Sequence, residues 1–357
     1  MKIRADRKTL ANALKTVTVP AANGHLAILG GVHIEAAKAA ATLTSTNLDL
    51  TIAVDIEVDV DKPGIVIVPT RLLSGIVDKA AGDIVSIEAT DDSATIESGS
   101  TVATLRTLRV EDWPKTPNAE GERFELGAND LDRINRTLHA VAQGDAVKNR
   151  PGLGGVHFVG NQAVGVDPHR LAVAQLGVDG LPGMTVPLEV MRRVLKASPE
   201  GVTMTFDERS VTFDGGGICW TSRLVVGEFV NWEPLIRKES AHELTVPRAA
   251  IVDALDRVSL FAEGDLTHPV DLHREGNTLR LSAASVDVGD ICDEIECGGD
   301  WTEPLRFHDR FLADLLAAVD GDEVKFEIED ALKPIVARSA DWRVLLLVMP
   351  VRIGVTK

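Results

Sequence analysis

The sequence predicts an α+β chain built from three repeated domains, each with two helices packed on antiparallel sheets. Three observations carry this. A strand, helix, strand, turn, strand pattern recurs at a period of roughly 120 residues. A short strand followed by an amphipathic helix precedes each copy. Pro and polar residues cluster between the copies, at Trp113-Pro114-Lys115-Thr116-Pro117-Asn118 and at Trp232-Glu233-Pro234-Leu235-Ile236-Arg237-Lys238. The domains read as 1–118, 119–238 and 239–357.

In order along the chain, residues 64–108 give the clearest copy of the second half-unit, with Pro69 ahead of its helix and Gly82-Asp83 after it. Residues 183–226 repeat it with Pro187 and Pro199-Glu200-Gly201. Residues 304–348 repeat it again, ending the helix at Asp320-Gly321-Asp322. In the first half of the middle unit, Leu131, Ile134, Leu138 and Val141 fall at i, i+3, i+7 and i+10, a helical stripe that faces a core, with Asn129 as its expected N-cap. TSTNLDL, GVDPHRLAV and SAASVDVGD are polar turns in comparable places.

Composition bounds the function. A chain of 357 residues, 45% hydrophobic, can bury several cores. No apolar run reaches the roughly 20 residues of a membrane helix, and MKIRADRKTL has no apolar signal core, so a cytoplasmic protein without membrane contact is expected. Cys219, Cys292 and Cys297 form no disulfide framework and are expected to be small buried apolar residues. The net charge of -17 excludes a broadly basic coat for nucleic acid and confines any DNA contact to local patches. No enzyme is expected. Asp167 and His169 have no G-x-S-x-G nucleophile elbow to serve, and Gly215-Gly216-Gly217 lacks the Lys-Ser/Thr of a phosphate loop and reads as a hairpin turn. Cys292, Cys297, His268 and His273 lack zinc spacing, so no metal or other cofactor is expected.

Four landmarks then carry a resemblance. Leu26-Ala27-Ile28-Leu29, Asp167-Pro168-His169-Arg170-Leu171-Ala172, Glu228-Phe229-Val230-Asn231-Trp232 and Val348-Met349-Pro350-Val351-Arg352-Ile353 stand in family order on the threefold repeat. Over essentially the whole chain the sequence resembles the bacterial DNA sliding clamps, the β subunits of the replicative DNA polymerase III holoenzyme. The resemblance implies that each chain is half of a six-domain ring, a homodimer that encircles duplex DNA without regard to sequence. It would serve as a polymerase processivity factor and tether polymerase, clamp loader and other motif-bearing proteins. The alternative is a divergent phage-encoded or duplicate clamp that sequesters partners or confers resistance to a clamp-directed inhibitor.

The resemblance also assigns residues. If helices line the hole, Lys8, Lys15, Arg71, Lys79, Arg133, Arg136, Arg192, Arg193, Lys196, Arg248, Arg257 and Arg310 face DNA. In the third domain Asp253, Asp256, Asp309 and Asp314 share the helices with these cations. The matching positions of a partner-peptide groove are Leu153, Val166, His169, Arg170, Leu171, Leu235, Phe311, Leu332, Pro334, Val348, Met349, Pro350, Val351 and Arg352. Met349 suits varied ligands, and Arg170 and Arg352 suit ligand carbonyls or carboxylates. Leu105 on one edge and Leu260 with Phe261 on the other are the matching dimer contacts. Departures cluster at the groove. Pro168 stands where the family has Gly, Phe311 where Tyr is common in a chain with no Tyr, and Pro234 where Arg is frequent. Gly354-Val355-Thr356-Lys357 follow the usual terminus, a position from which they can reach the groove.

Overall fold

The computed structural model describes residues 1–21, 26–115, 118–236, 241–262, 268–285 and 289–351. Its α-helices are α1 (Arg7–Ala21), α2 (Thr70–Lys79), α3 (Ala128–Asn135), α4 (Asp145–Asn149), α5 (Leu188–Ala197), α6 (Arg248–Ala262) and α7 (Asp309–Ala318). The repeat is visible in the elements. Strands Gly64–Pro69, Leu181–Pro187 and Leu305–His308 lead directly into α2, α5 and α7, and antiparallel strands follow each helix. Strands Lys2–Asp6, Glu122–Gly127 and His242–Pro247 lead into α1, α3 and α6 in the same way.

The chain forms two compact units, one of Met1–Gly127 with Lys196–Leu224 and one of Ala128–Leu195 with Val225–Lys357. The first holds an eight-stranded antiparallel sheet in which Ile218–Arg223 pairs with Leu50–Glu57, and a five-stranded sheet from Asp59–Lys62 to Thr101–Arg106. Its core is dominated by Ile3, Leu10, Leu14, Ile34, Leu43, Ile52, Ile67, Phe213 and Trp220, all essentially without solvent contact. Leu10, Leu14 and Val17 on α1 and Leu73 and Val77 on α2 keep helical spacing and are buried together on the inward faces. Asp6 starts α1, accepting hydrogen bonds from the Thr9 N–H at 2.8 Å and the Thr9 hydroxyl at 2.9 Å.

The second unit holds a nine-stranded antiparallel sheet running from Leu181–Pro187 through Arg170–Gln175 and Val344–Val348 to Gly298–Gly299. A four-stranded sheet spans Gly289–Glu296 to Leu305–His308. Phe158, Phe307, Phe326, Leu255 and Leu315 anchor its interior. In the first unit, Gly215 ends one strand, and Gly216 and Gly217 turn the chain at φ 64 and 75, so that glycine run is the expected hairpin turn.

Three local expectations change. The helix expected through Val141 stops at Asn135. Thr137 is buried, its hydroxyl donates to the Ile134 carbonyl at 2.8 Å, and Leu138–Ala140 continues as a 3-10 turn. The stripe is nevertheless buried at all four positions, because the tighter turn still points Leu138 and Val141 inward. Asn129 lies inside the first turn of α3 rather than capping it, since the helix begins at Ala128. Of the cysteines only Cys297 is buried. Cys219 is half-buried and Cys292 is exposed, because Cys292 sits on the outermost strand of its sheet.

Gly165 makes room for the Thr137 turn. A Cβ there would lie 2.3 Å from the Thr137 carbonyl oxygen, whereas one at Gly30 would meet nothing within 4 Å. Gly165→Ala is therefore expected to destabilise the protein by about 1–3 kcal/mol, and Gly30→Ala by less than about 0.5 kcal/mol, in urea unfolding. Next to that turn, burial and then the nearby Arg170 guanidinium hold the His139 imidazole down at about 4. His139 is thus neutral in the fold and takes up a proton near its ordinary value only when unfolded. The associated stability is complete above pH ~6.5 and declines as pH falls toward 4. A His139 ring titrating near pH 6.5 by NMR in the folded protein would refute this.

Candidate functional site

The site predicted at the joint of the middle and last repeats lies wholly within the second unit. Strand Arg170–Gln175 pairs antiparallel with Val344–Val348 in the register Arg170↔Val348, Leu171↔Leu347, Ala172↔Leu346 and Val173↔Leu345. Because side chains alternate across a strand, Leu171, Val173, Leu345 and Leu347 share one face with Val164, Val166 and Val336. Leu153, Ala142 and Trp232 complete that cluster, with half-buried Ala146, Val147, Phe229, Val230 and Ile236 packed against it. The expected groove residues Leu153, Val166 and Leu171 are brought together here, as the buried floor of an apolar face. Val348, also expected in the groove, is fully buried on the opposite face of the sheet with Ala172 and Leu346.

Just outside strands Ile335–Arg338 and Val344–Val348, and in the turn Glu233–Leu235, the chain leaves large apolar side chains in solvent. Leu235 is 46% exposed, Leu332 65% and Met349 36%, while Pro334, Pro350 and Val351 are half-buried. Their backbones are fixed. Met349 N–H donates to the His169 carbonyl at 2.8 Å and Val351 N–H to the Arg306 carbonyl at 2.7 Å. Leu332 N–H donates to Asp330 at 2.8 Å. Pro234 sits at the start of the 3-10 turn Glu233–Leu235, where its fixed φ and missing N–H cost nothing. Arg352 lies outside the described residues, as do Gly354, Val355, Thr356 and Lys357.

The polar end of the site is built by the Asp167 turn. Its carboxylate accepts from the His169 N–H at 2.7 Å and the Arg170 N–H at 2.9 Å, so the turn closes without the N–H that Pro168 lacks. Arg170 is largely buried. It pairs with Asp167 at 2.9 Å and with Asp314, and its guanidinium lies 4.5 Å over the Phe311 ring. Phe311 in turn stacks on His169 at 5.6 Å and His308 at 4.4 Å, and His308 on His268 at 5.2 Å. Burial lowers the proton affinity of His308, with Asp309, 3.0 Å away, working against that shift. Arg170 thus meets two carboxylates and a ring before any ligand arrives. Sequence reasoning missed Asp314 in this role, together with His308, Trp232 and Phe229. Phe229 and Trp232 stood in the recognised EFVNW segment, but nothing in the local pattern distinguishes Asp314 from a solvated helix residue or His308 from an ordinary strand end.

The expected DNA-facing cations fall into distinct groups. Lys8, Arg71, Lys79, Lys196 and Arg310 are exposed. Lys15 pairs with Asp78 at 3.0 Å, Arg192 and Arg193 with Glu189 at 2.9 and 3.9 Å, and Arg257 with Asp293 at 2.5 Å. Arg248 donates to the Leu316 carbonyl at 3.0 Å. Arg133 and Arg136 reach carboxylates distant in sequence, Asp341 at 3.0 Å and Asp320 at 2.9 Å. Of the expected dimer contacts, Leu105 is buried opposite Ala94, Phe261 is half-buried and Leu260 is 68% exposed. Among the described residues no group of three or more His, Cys, Asp or Glu is arranged to hold a metal ion.

Comparison with known proteins agrees with this architecture. Residues 1–117 match the family described as DNA polymerase III beta subunit, N-terminal domain, and residues 234–352 its C-terminal domain. The chain is 27% identical over 312 residues to a beta sliding clamp of Caulobacter vibrioides, covering 82% of this chain and 83% of that one. It is 25% identical over 309 residues to a beta sliding clamp of Staphylococcus aureus, covering 81% and 80%. Among solved structures it is similar to a sliding clamp from Bartonella birtlesii bound to griselimycin, with TM-score 0.90, 28% identity and coverage of 99% and 100%. A Caulobacter crescentus beta sliding clamp superimposes with TM-score 0.91 at 25% identity over 99% of this chain and 100% of that one. Two matched domain families, relatives aligned over most of their length and a shared fold lead to one conclusion: the chain belongs to the DNA polymerase III beta subunit family, the bacterial sliding clamps.

Proposed function

We propose that this processivity clamp works as three domains, 1–118, 119–238 and 239–357, pairing head to tail with a second copy to encircle duplex DNA in the cytoplasm. We further propose that it captures short linear motifs of polymerase, clamp loader and other partners on the apolar face around Leu171 and Leu347. The observation that carries the reading is the combination of a packed apolar floor with exposed Leu235, Leu332 and Met349 on fixed backbone. Burying an extended peptide's side chains there removes apolar surface from water without reorganising the chain.

For closure, Thr101–Arg106 and Gly289–Glu296 are each one of the two outer strands of their sheets. Each therefore has one side on which a second copy's strand can add, and exposed Leu260 lies at the end of α6 for that contact. The second strand carries Asp290, Asp293, Glu294 and Glu296, the first Arg106, so the two edges have complementary charge. The ring topology retains DNA without a tight grip, and weak phosphate contacts from exposed lysines suffice. Among the described residues, no helix is long and apolar enough to cross a membrane.

Loaded on nicked circular DNA by a clamp loader, the chain is expected to make its cognate polymerase processive, and absence of both retention and stimulation would reject the reading. Leu332→Ala with Met349→Ala is expected to weaken a fluorescent clamp-binding peptide by about 10–100-fold, at about 1.4 kcal/mol per decade, while light scattering still reports a dimer. Unchanged peptide affinity would move the groove elsewhere. Replacing Lys8, Lys79 and Lys196 by Glu is expected to shorten retention on DNA and flatten its salt dependence, the slope falling by about 0.9 for each phosphate no longer neutralised.

A further inference from the structure

Three arginines of residues 128–195 share one construction. Each has a carboxylate three or four residues earlier that orients it, Asp130 for Arg133 at 3.7 Å, Asp132 for Arg136 at 2.8 Å and Asp167 for Arg170 at 2.9 Å. Each then crosses to an aspartate more than 140 positions later, Asp341 at 3.0 Å, Asp320 at 2.9 Å and Asp314. The receiving carboxylates are themselves positioned. Asp341 accepts from the Ser339 hydroxyl at 2.6 Å and the Arg343 N–H at 3.0 Å, and Asp320 from the Ala340 N–H at 2.8 Å. Partial burial pushes both carboxyls up, but these donors together with the arginines hold them below the usual carboxylate range. In the Arg133–Asp341 and Arg136–Asp320 pairs both partners are therefore held in place before they meet, and the side chains of Arg133 and Arg136 are about four-fifths buried. Such networks escape the entropy cost and screening that make isolated surface pairs nearly worthless.

We propose that Arg133, Arg136 and Arg170 form an arginine–aspartate zipper along the seam where strand Arg170–Gln175 meets Val344–Val348. In this role Arg133 and Arg136 are positioning residues that keep the two walls of the partner groove in register, rather than phosphate contacts. The charge count supports the assignment. Three cations stand among six carboxylates, so a phosphate approaching this seam meets net negative charge. The link from seam to groove is direct, because Leu171 and Val173 on one strand and Leu345 and Leu347 on the other supply the groove floor. The effect on ligands rests on the groove reading above; the zipper itself does not.

The test uses the full-length dimer. Asp320→Asn with Asp341→Asn leaves every arginine in place. It is expected to speed amide exchange at least tenfold across Arg170–Gln175 and Val344–Val348 and to weaken the peptide severalfold, with retention on DNA no longer than wild type. Arg136→Asp is expected to do the same, and Asp320→Arg in that background to restore both exchange and peptide affinity. Arg136→Lys, which keeps a cation but loses the fork, is expected to restore only part. The proposal is overturned if the Asn variant leaves exchange unchanged, if it lengthens retention on DNA by releasing arginines to phosphate, or if the charge swap restores nothing. Exchange that responds and recovers while peptide affinity never moves would keep the zipper and overturn its role at the groove.

Discussion

The antiparallel pairing of Arg170–Gln175 with Val344–Val348 is the contact on which the second unit depends, because it joins two stretches of chain about 170 residues apart into one nine-stranded sheet. Its register decides everything on either side. A slip of one residue would put Leu171 and Val173 on the opposite face from Leu345 and Leu347 and split the cluster that holds Trp232 and Leu153. The apolar face of Leu171, Val173, Leu345 and Leu347 is thus a product of strand register.

The backbone ladder fixes the strand register and apolar packing sets which face is which, but aliphatic contacts lack the directionality of charge pairs. Directional pairs supply the missing constraint. A guanidinium fork held by one carboxylate and received by another has one good geometry, and three such forks stand along the seam. Arg170 carries this into the site itself, where Asp167, Asp314 and the Phe311 ring surround it. This end of the face presents a neutralised arginine and a stack of His169, Phe311 and His308 rather than an open cation.

Much of the fold was legible in the sequence because its signals are local. The threefold order of strands and helices, the hairpin at Gly215-Gly216-Gly217 and the Asp167 turn each depend on spacing or on one residue's conformational preference, and each stands in the structure. The early end of α3 was not legible. It follows from Thr137 being buried against Gly165, which a helical stripe of Leu131, Ile134, Leu138 and Val141 does not reveal.

By itself, the sequence determined the repeat, the α+β class and the family, since these reside in periodicity and in short ordered motifs. Only the tertiary structure decided what each charge does. On one helix face Arg133 and Arg136 look like Arg192 and Arg193, yet the first two cross to Asp341 and Asp320 and the others stay with Glu189. It also decided which face of strand Val344–Val348 packs against Trp232 and Leu153, so that Leu347 lies in that cluster and Val348 does not. The physical reason is common to both. A side chain's electrostatic partner and its face are set by segments far away in sequence, and no local pattern encodes that distance.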